Sequence, residues 1–394
     1  MIIRAVDLNA VITNEVVNKV PYYQVWAIEY PATEFLIHDI RTENVVTNIK
    51  QSARPNKIET LNFTIDPTQT YYENLNKLKT IIRLYEVDSN AETNQIYEGR
   101  ILTDDTDFNN IKNIICEGEL AFLRDGIQRP AKYENQTIEQ WMTAVLDIYN
   151  QAVTADKRFH MGIVTVLDTK DDILRENDYI NTFDLLQKQL VDSLGGYLVI
   201  EHIGSLRFLN YLENYGVANT QPVEFGTNLL DFKKTNNAAD IITAVIPWVK
   251  PTTTDGTILN ISSVNTGCDY IYNDVAVNEY GWIFGAKEFK DIDDPFDLMA
   301  NGYEYLETLT RMGITLELTA LDLALINIDI QRFNIGDSVR CVSNPHNIDM
   351  FLMVTKYDRD RSDPSKDRII LGDDVKNMTD LQLSEDAATA VELT

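Results

Sequence analysis

The residue types that could support covalent catalysis in this 394-residue chain are Cys116 and the histidines His38, His160, His202 and His346. A thiolate with an imidazole base attacks carbonyl carbon, the chemistry of cysteine peptidases. Cys116 follows Ile114 and Ile115 in an apolar run, which predicts a buried strand thiol, protonated and inert. His38 ends the alternating run Phe35-Leu36-Ile37-His38, a strand pattern, and no histidine has a second ligand or base at local spacing. The HExxH, CxxC and GxSxG patterns and the phosphate-binding P-loop are absent from the sequence.

Carboxylate pairs can do acid–base work without a linear motif. In so acidic a chain, about nine adjacent acidic pairs follow from composition alone, so Asp104-Asp105, Asp171-Asp172 and Asp293-Asp294 carry little information. Asp358-Arg359-Asp360-Arg361-Ser362-Asp363-Pro364 resembles the start of a calcium loop, but Asp363 stands where Gly is needed and Ile369 where Glu is needed. A solvated turn between two strands explains it better. We therefore expect no catalytic, cofactor-binding or metal-binding residues and no enzymatic activity.

The elements that would position such groups are organised by changes of hydrophobic period. From Ile2 to about Phe122, short runs alternate with period two, as in Leu61, Phe63, Ile65 and in Ile82, Leu84, separated by polar turns such as Asp88-Ser89-Asn90. Thr137-Ile138-Glu139-Gln140 reads as a capping box, with Ile138, Trp141, Val145 and Ile148 on one helical face. A second helix is predicted from Thr182 to Leu194 with Gly195-Gly196 as its stop, then strands from Tyr197 to Tyr211 about a Gly204-Ser205 turn. Later, Asp294 caps a helix begun by Pro295 and ended by Gly313. Alternation returns in Ile314 to Thr319, and strands follow near Ser338–Val342, Phe351–Tyr357 and Arg368–Leu371.

Sixty-one acidic against 34 basic residues give a net charge of -27, which repels polyanions and argues against a sequence-reading nucleic-acid binder. No run of about 18 apolar residues occurs, and Met1 to Asp7 lacks a basic-then-apolar leader. A soluble protein made without a secretion signal is expected, without stable membrane insertion. Cys116, Cys268 and Cys341 are widely spaced and odd in number, the pattern of free thiols made in a reducing compartment.

The stretch from Ile115 to Pro130 reads as a domain junction. With Leu194-Gly195-Gly196-Tyr197-Leu198, Phe225 to Phe232, Asp240 to Pro247, Tyr280-Gly281 and Phe333 to Val339, in this order and spacing, it resembles the hub proteins of siphophage tail tips. These are the tail-associated lysin or prophage endopeptidase-tail family, similar to contractile-phage baseplate hubs. The resemblance implies a mainly β fold with α+β parts: two similar antiparallel β-barrels plus two α+β domains. On that template residues 1–125 form the first barrel and 126–222 an α+β domain. Residues 223–247 and 312–376 form a split second barrel, 248–311 an inserted α+β domain, and 377–394 an acidic tail.

The same resemblance implies a structural virion protein at the distal tail tip, made in the host bacterial cytoplasm. The expected assembly is a homotrimer joining a hexameric distal tail protein. It would contact the C-terminus of the tape-measure protein and carry receptor-binding proteins. DNA would meet it only in transit, and carboxylates lining that path would keep phosphates from sticking. Many relatives continue into a peptidoglycan-cleaving or fibre-like region, which is not present in these residues. The alternatives are a peptidoglycan hydrolase acting in cell-wall penetration, and the hub of a contractile tail or injection system.

Overall fold

The computed structural model describes residues 22–372, apart from 30–32, 89–90, 168–174, 239–240, 251–257, 290–291, 311–312, 321 and 324–330. The strands expected before Tyr22, the Ser89-Asn90 turn, the Asp171-Asp172 pair and the acidic tail lie outside the described residues. The chain is mainly β with few helices. The described residues divide into two compact units, one within residues 22–232 and 317–371, the other within residues 233–316.

The first unit is built on strands β1 (Tyr22–Glu29), β2 (Thr33–Asp39), β3 (Thr47–Ala53), β4 (Thr60–Ile65), β5 (Thr80–Val87), β6 (Thr93–Thr106) and β7 (Lys112–Gly118). All their mutual pairings are antiparallel, in the order β3, β4, β7, β6, β5, β1, β2. The expected alternation is visible in β4, where Leu61, Phe63 and Ile65 are fully buried and the residues between them half-buried. They pack with Val25, Ala27, Ile82, Leu84, Ile101, Ile114 and Cys116 into one apolar core.

This sheet does not stop at residue 118. The 13-residue strand Ile348–Asp360 pairs with Ser338–Ser343 and Arg368–Gly372, and its last four residues pair antiparallel with β3, Tyr357 opposite Ala53 and Asp360 opposite Lys50. The strand is long enough to serve both neighbourhoods, so C-terminal strands extend the N-terminal sheet. The pairings trace an open path, and no closed barrel forms among the described residues. A polar chain reinforces the seam. Arg361 donates to Gln51 Oε1 and lies 5.1 Å from the Tyr23 ring centroid, while Gln51 Nε2 donates to Glu59 Oε1 at 2.6 Å.

After β7, residues Glu119–Asp125 turn through a 3-10 helix that drives Leu120, Phe122 and Leu123 into a second core. The helix Ile138–Ala152 carries the expected capping box, Thr137 with Gln140, and buries Ile138, Trp141, Met142, Val145, Leu146 and Tyr149. Helix 182–194 widens into a π-turn over Gln187–Val191 before Gly195, whose φ of 76° stops it. Strands Tyr197–Ile203 and Leu206–Leu212 form the hairpin about Gly204-Ser205, and His160–Val164 adds in parallel.

In the second unit, Ala244–Val249 pairs antiparallel with Leu259–Asn260 and Ile271–Tyr272, and parallel with Phe284–Phe289. The helix Pro295–Leu309 is capped by the Asp294 carboxylate on Phe296 N, and its Leu298 and Leu306 pack with Val245, Ile261 and Ile271. Its end differs from expectation. It stops at Leu309, and Gly313 begins the strand Gly313–Ala320.

Candidate functional site

The residues singled out for covalent chemistry do not converge. Cys116 is fully buried on β7, and burial pushes its thiol well above the ordinary range. Cys341 is buried likewise, pushed up to about 12, and Cys268 is exposed. His38 lies on β2, where Nδ1 accepts from Val46 N at 3.1 Å, and burial lowers its pKa. His160 packs beside Phe208, and His346 lies between Ser343 and Phe232. In the Asp358–Pro364 segment, Asp358 to Asp360 end the strand Ile348–Asp360, and the turn that follows is solvated only at its tip, where Ser362, Ser365 and Lys366 are exposed. Asp360, Arg361 and Asp367 are buried, and Asp360 and Asp363 accept from backbone amides of the turn.

The fourth histidine has company that spacing could not reveal. His202 Nε2 lies 2.8 Å from Glu119 Oε2, and that hydrogen bond raises its pKa. Glu119, Glu98 and His202 offer ligand atoms within 4.8 Å of one another. Such a trio has the donors for a divalent cation, yet its charges are already matched. Arg207 is 6% exposed, donates to Glu98 Oε1 at 2.7 Å, and also pairs with Glu119. Arg83 holds the other oxygen of Glu98 at 2.5 Å. Arg100 likewise bridges Glu117 and Asp125, at 2.7 and 2.5 Å. The guanidinium groups of Arg100 and Arg207 lie 5.5 and 5.0 Å from the ring centroid of Phe122. The network therefore ties β6 and β7 to the α+β segment through the junction.

Beside it opens a cavity of about 260 Å³, lined by Glu59, Tyr97, Glu119, His202, Tyr215 and Tyr357 among others. Glu59 Oε1 accepts from Gln51 and from Tyr357 Oη at 3.1 Å, and no cation pairs with its carboxylate among the described residues. Burial pushes the Glu59 carboxyl up to about 7, against the pull of these two donors. Tyr97 is 3% exposed and its hydroxyl has no hydrogen-bond partner among the described residues.

A carboxyl raised on folding opposes folding once ionised. The penalty is absent below the unfolded value near 4.5 and complete above about 7. Glu59→Gln should therefore stabilise the chain at pH 8 relative to its effect at pH 4.5, by about 3 kcal/mol. Urea unfolding of both proteins at the two pH values measures this, and an equal difference at both would show that Glu59 does not titrate there.

The second unit presents an aromatic face. Tyr272 and Phe284 both stand opposite Ala244 in register, flanked by Tyr270 and Trp282. Trp282 and Phe284 stack at 5.6 Å, and Tyr270 meets both edge-on. Trp282 and Phe284 remain 52% and 53% exposed, an unusual concentration of aromatic surface.

Several segments behind the family resemblance turn out to be turn-formers. Gly195, Gly226, Gly281 and Gly336 all have positive φ. At Gly336, a Cβ would fall 2.7 Å from Tyr215 O. Asp337 accepts from Val217 N, Asn219 Nδ2 and Asn334 N, fixing that loop.

Residues 218–382 match the family model described as prophage endopeptidase tail. The fold is similar to that of prophage tail protein gp18 from Listeria monocytogenes EGD-e, with a TM-score of 0.61 and 16% identity over 91% of this chain and 97% of that one. It is also similar to the 43 kDa tail protein of prophage MuSo2 from Shewanella oneidensis (TM-score 0.58, 13% identity, 89% and 97% covered). A third likeness is to the tail protein from Neisseria meningitidis MC58 (TM-score 0.57, 10% identity, 90% and 97% covered). No curated protein matches the sequence. At these identities the structural likeness establishes a fold common to prophage tail proteins.

Proposed function

We propose that this chain, matched to the prophage endopeptidase tail family over residues 218–382 and sharing its fold with prophage tail proteins, is a structural tail component. The observation that carries this reading is likeness to a tail protein over 91% of the chain, together with the family match. The finer reading is a trimeric hub closing the distal end of a long noncontractile tail. It joins the hexameric distal tail protein to the tip, contacts the tape measure from within, carries receptor-binding proteins, and opens for DNA release.

The four-domain division belongs to the same proposal, and the compact unit around residues 233–316 supports an inserted domain. The exposed aromatic face of that unit suits a part that works by contact. A non-enzymatic role is favoured by the burial of Cys116 and by the Arg207 and Arg83 pairing of Glu98.

Light scattering of the purified chain, alone and mixed with the distal tail protein of the same phage, tests the reading. The expected result is a mass three times the 45.0 kDa chain, or a trimer appearing on mixing. A chain that stays monomeric in both, or that clears cell walls in a zymogram, would replace the hub by another role.

A further inference from the structure

We propose that the aromatic face of the second unit's sheet is a binding site for a neutral oligosaccharide. The reading goes beyond the tail-component function and does not depend on it. Strand register fixes which residues share the face. Val245, Val249, Leu259, Ile271 and Phe289 pack into the core with Leu298 and Leu306 of the helix, so their neighbours along each strand point the other way. Three rows result. Tyr272 and Phe284 flank Ala244 in the first, Ala286 stands beside Ile246 in the second, and Asn260 and Glu288 flank Trp248 in the third.

Two aromatic stations therefore lie four residues apart, about 13 Å along the strand, with the small side chains of Ala244 and Ala286 on the ground between them. At the first station Trp282 joins in, stacked on Phe284 with ring planes 11° apart and 5.0 Å from the Tyr272 ring. A sugar ring offers a flat C–H face, which the negative face of an aromatic ring attracts, and a rim of hydroxyls. At the second station Glu288 is exposed and supplies acceptors for such hydroxyls, while Asn260 Oδ1 accepts from Ser262 N and leaves Nδ2 to donate. A chain of linked sugar rings spans both stations, and a single ring does not.

Other occupants fit less well. Glu288 is the one charged residue in the three rows, so an anionic polymer finds no cation there, and the net charge of -27 repels it. A second copy needs more surface. Tyr272, Trp282 and Phe284 are 43%, 52% and 53% exposed, which leaves about 300 Å² of ring surface open, against about 800 Å² per partner in a stable interface.

The test is calorimetric titration of the full chain with chitotetraose, cellotetraose and maltotetraose, against the matching disaccharides and a decaproline peptide. Saturable binding of at least one tetrasaccharide is expected, about tenfold or more tighter than its disaccharide, because the longer chain engages both stations at once. Trp282→Ala and Trp248→Ala should each weaken it about tenfold, and Trp282→Phe, which keeps a ring, should restore most of the loss.

No saturable binding of any of the three sugars, equal binding of tetrasaccharide and disaccharide, or undiminished binding by both alanine variants would overturn the proposal. So would decaproline binding that Trp282→Ala abolishes while no sugar binds, which gives the face to a proline-rich partner. Self-association that Trp282→Ala dissolves, again with no sugar bound, would give it to a second copy. Trp282 is half-exposed, so Trp282→Ala should keep the unfolding midpoint of the wild type. Should Trp248→Ala fail to fold, Trp282→Ala and Glu288→Gln still decide the matter.

Discussion

Arg207→Ala is expected to destabilise the folded chain by about 3–5 kcal/mol, the cost of leaving buried carboxylates without their cation. Arg207 is 6% exposed and pairs with both Glu98 and Glu119, so one truncation leaves Glu98 with Arg83 alone and Glu119 with His202 alone. It also removes the Nη1 donor to the carbonyls of Asp156 and Arg158, at 3.0 and 3.3 Å. Denaturant unfolding of wild type and variant measures the loss. Because the pair is shielded from solvent, the loss should persist from low to high salt, where an exposed pair would be screened away. A loss below about 1 kcal/mol, or one that vanishes in salt, would mean that solvent reaches the network.

Phe122→Ala is the second large effect, also about 3–5 kcal/mol from the cavity left in a close-packed core. Phe122 is fully buried, and its ring centroid lies 5.5 and 5.0 Å from the guanidinium groups of Arg100 and Arg207. Removing it takes away packing and the aromatic surface facing two cations. Phe122→Leu keeps most of the volume and loses the ring electrostatics, so comparing the two separates the contributions. The Phe122 and Arg207 losses should not add, since each residue supports the other's position. Strict additivity in the double variant would show that the contact carries no energy.

What the sequence disclosed was local. The capping box at Thr137, the Asp294 cap with Pro295 and the Gly204-Ser205 turn each depend on a few neighbouring residues, and each stands as read. Alternation in β4 gave its buried face for the same reason. The seam between β3 and Ile348–Asp360 had no such signal, because register between distant strands is set by packing. The cavity was hidden too. Glu59, Tyr97, Glu119 and His202 come from separate elements and share no spacing, and an isolated histidine tells nothing of the carboxylate across from it. Asp360 and Arg361 were misjudged as solvated because turn composition does not report burial by a neighbouring sheet.

The seam has a consequence for how the chain is made. β3 leaves the ribosome early, but its second edge is filled only by residues Tyr357 to Asp360, and the Gln51–Arg361 contact spans 310 positions. During most of synthesis, therefore, β3 offers an open row of amides and carbonyls beside an apolar sheet, an invitation to pair with other chains. Closing so long a loop also makes the last docking step slow. The yield of correctly folded protein is thus set late, when the final strands arrive, and a nascent chain stalled before residue 357 carries an unsealed sheet.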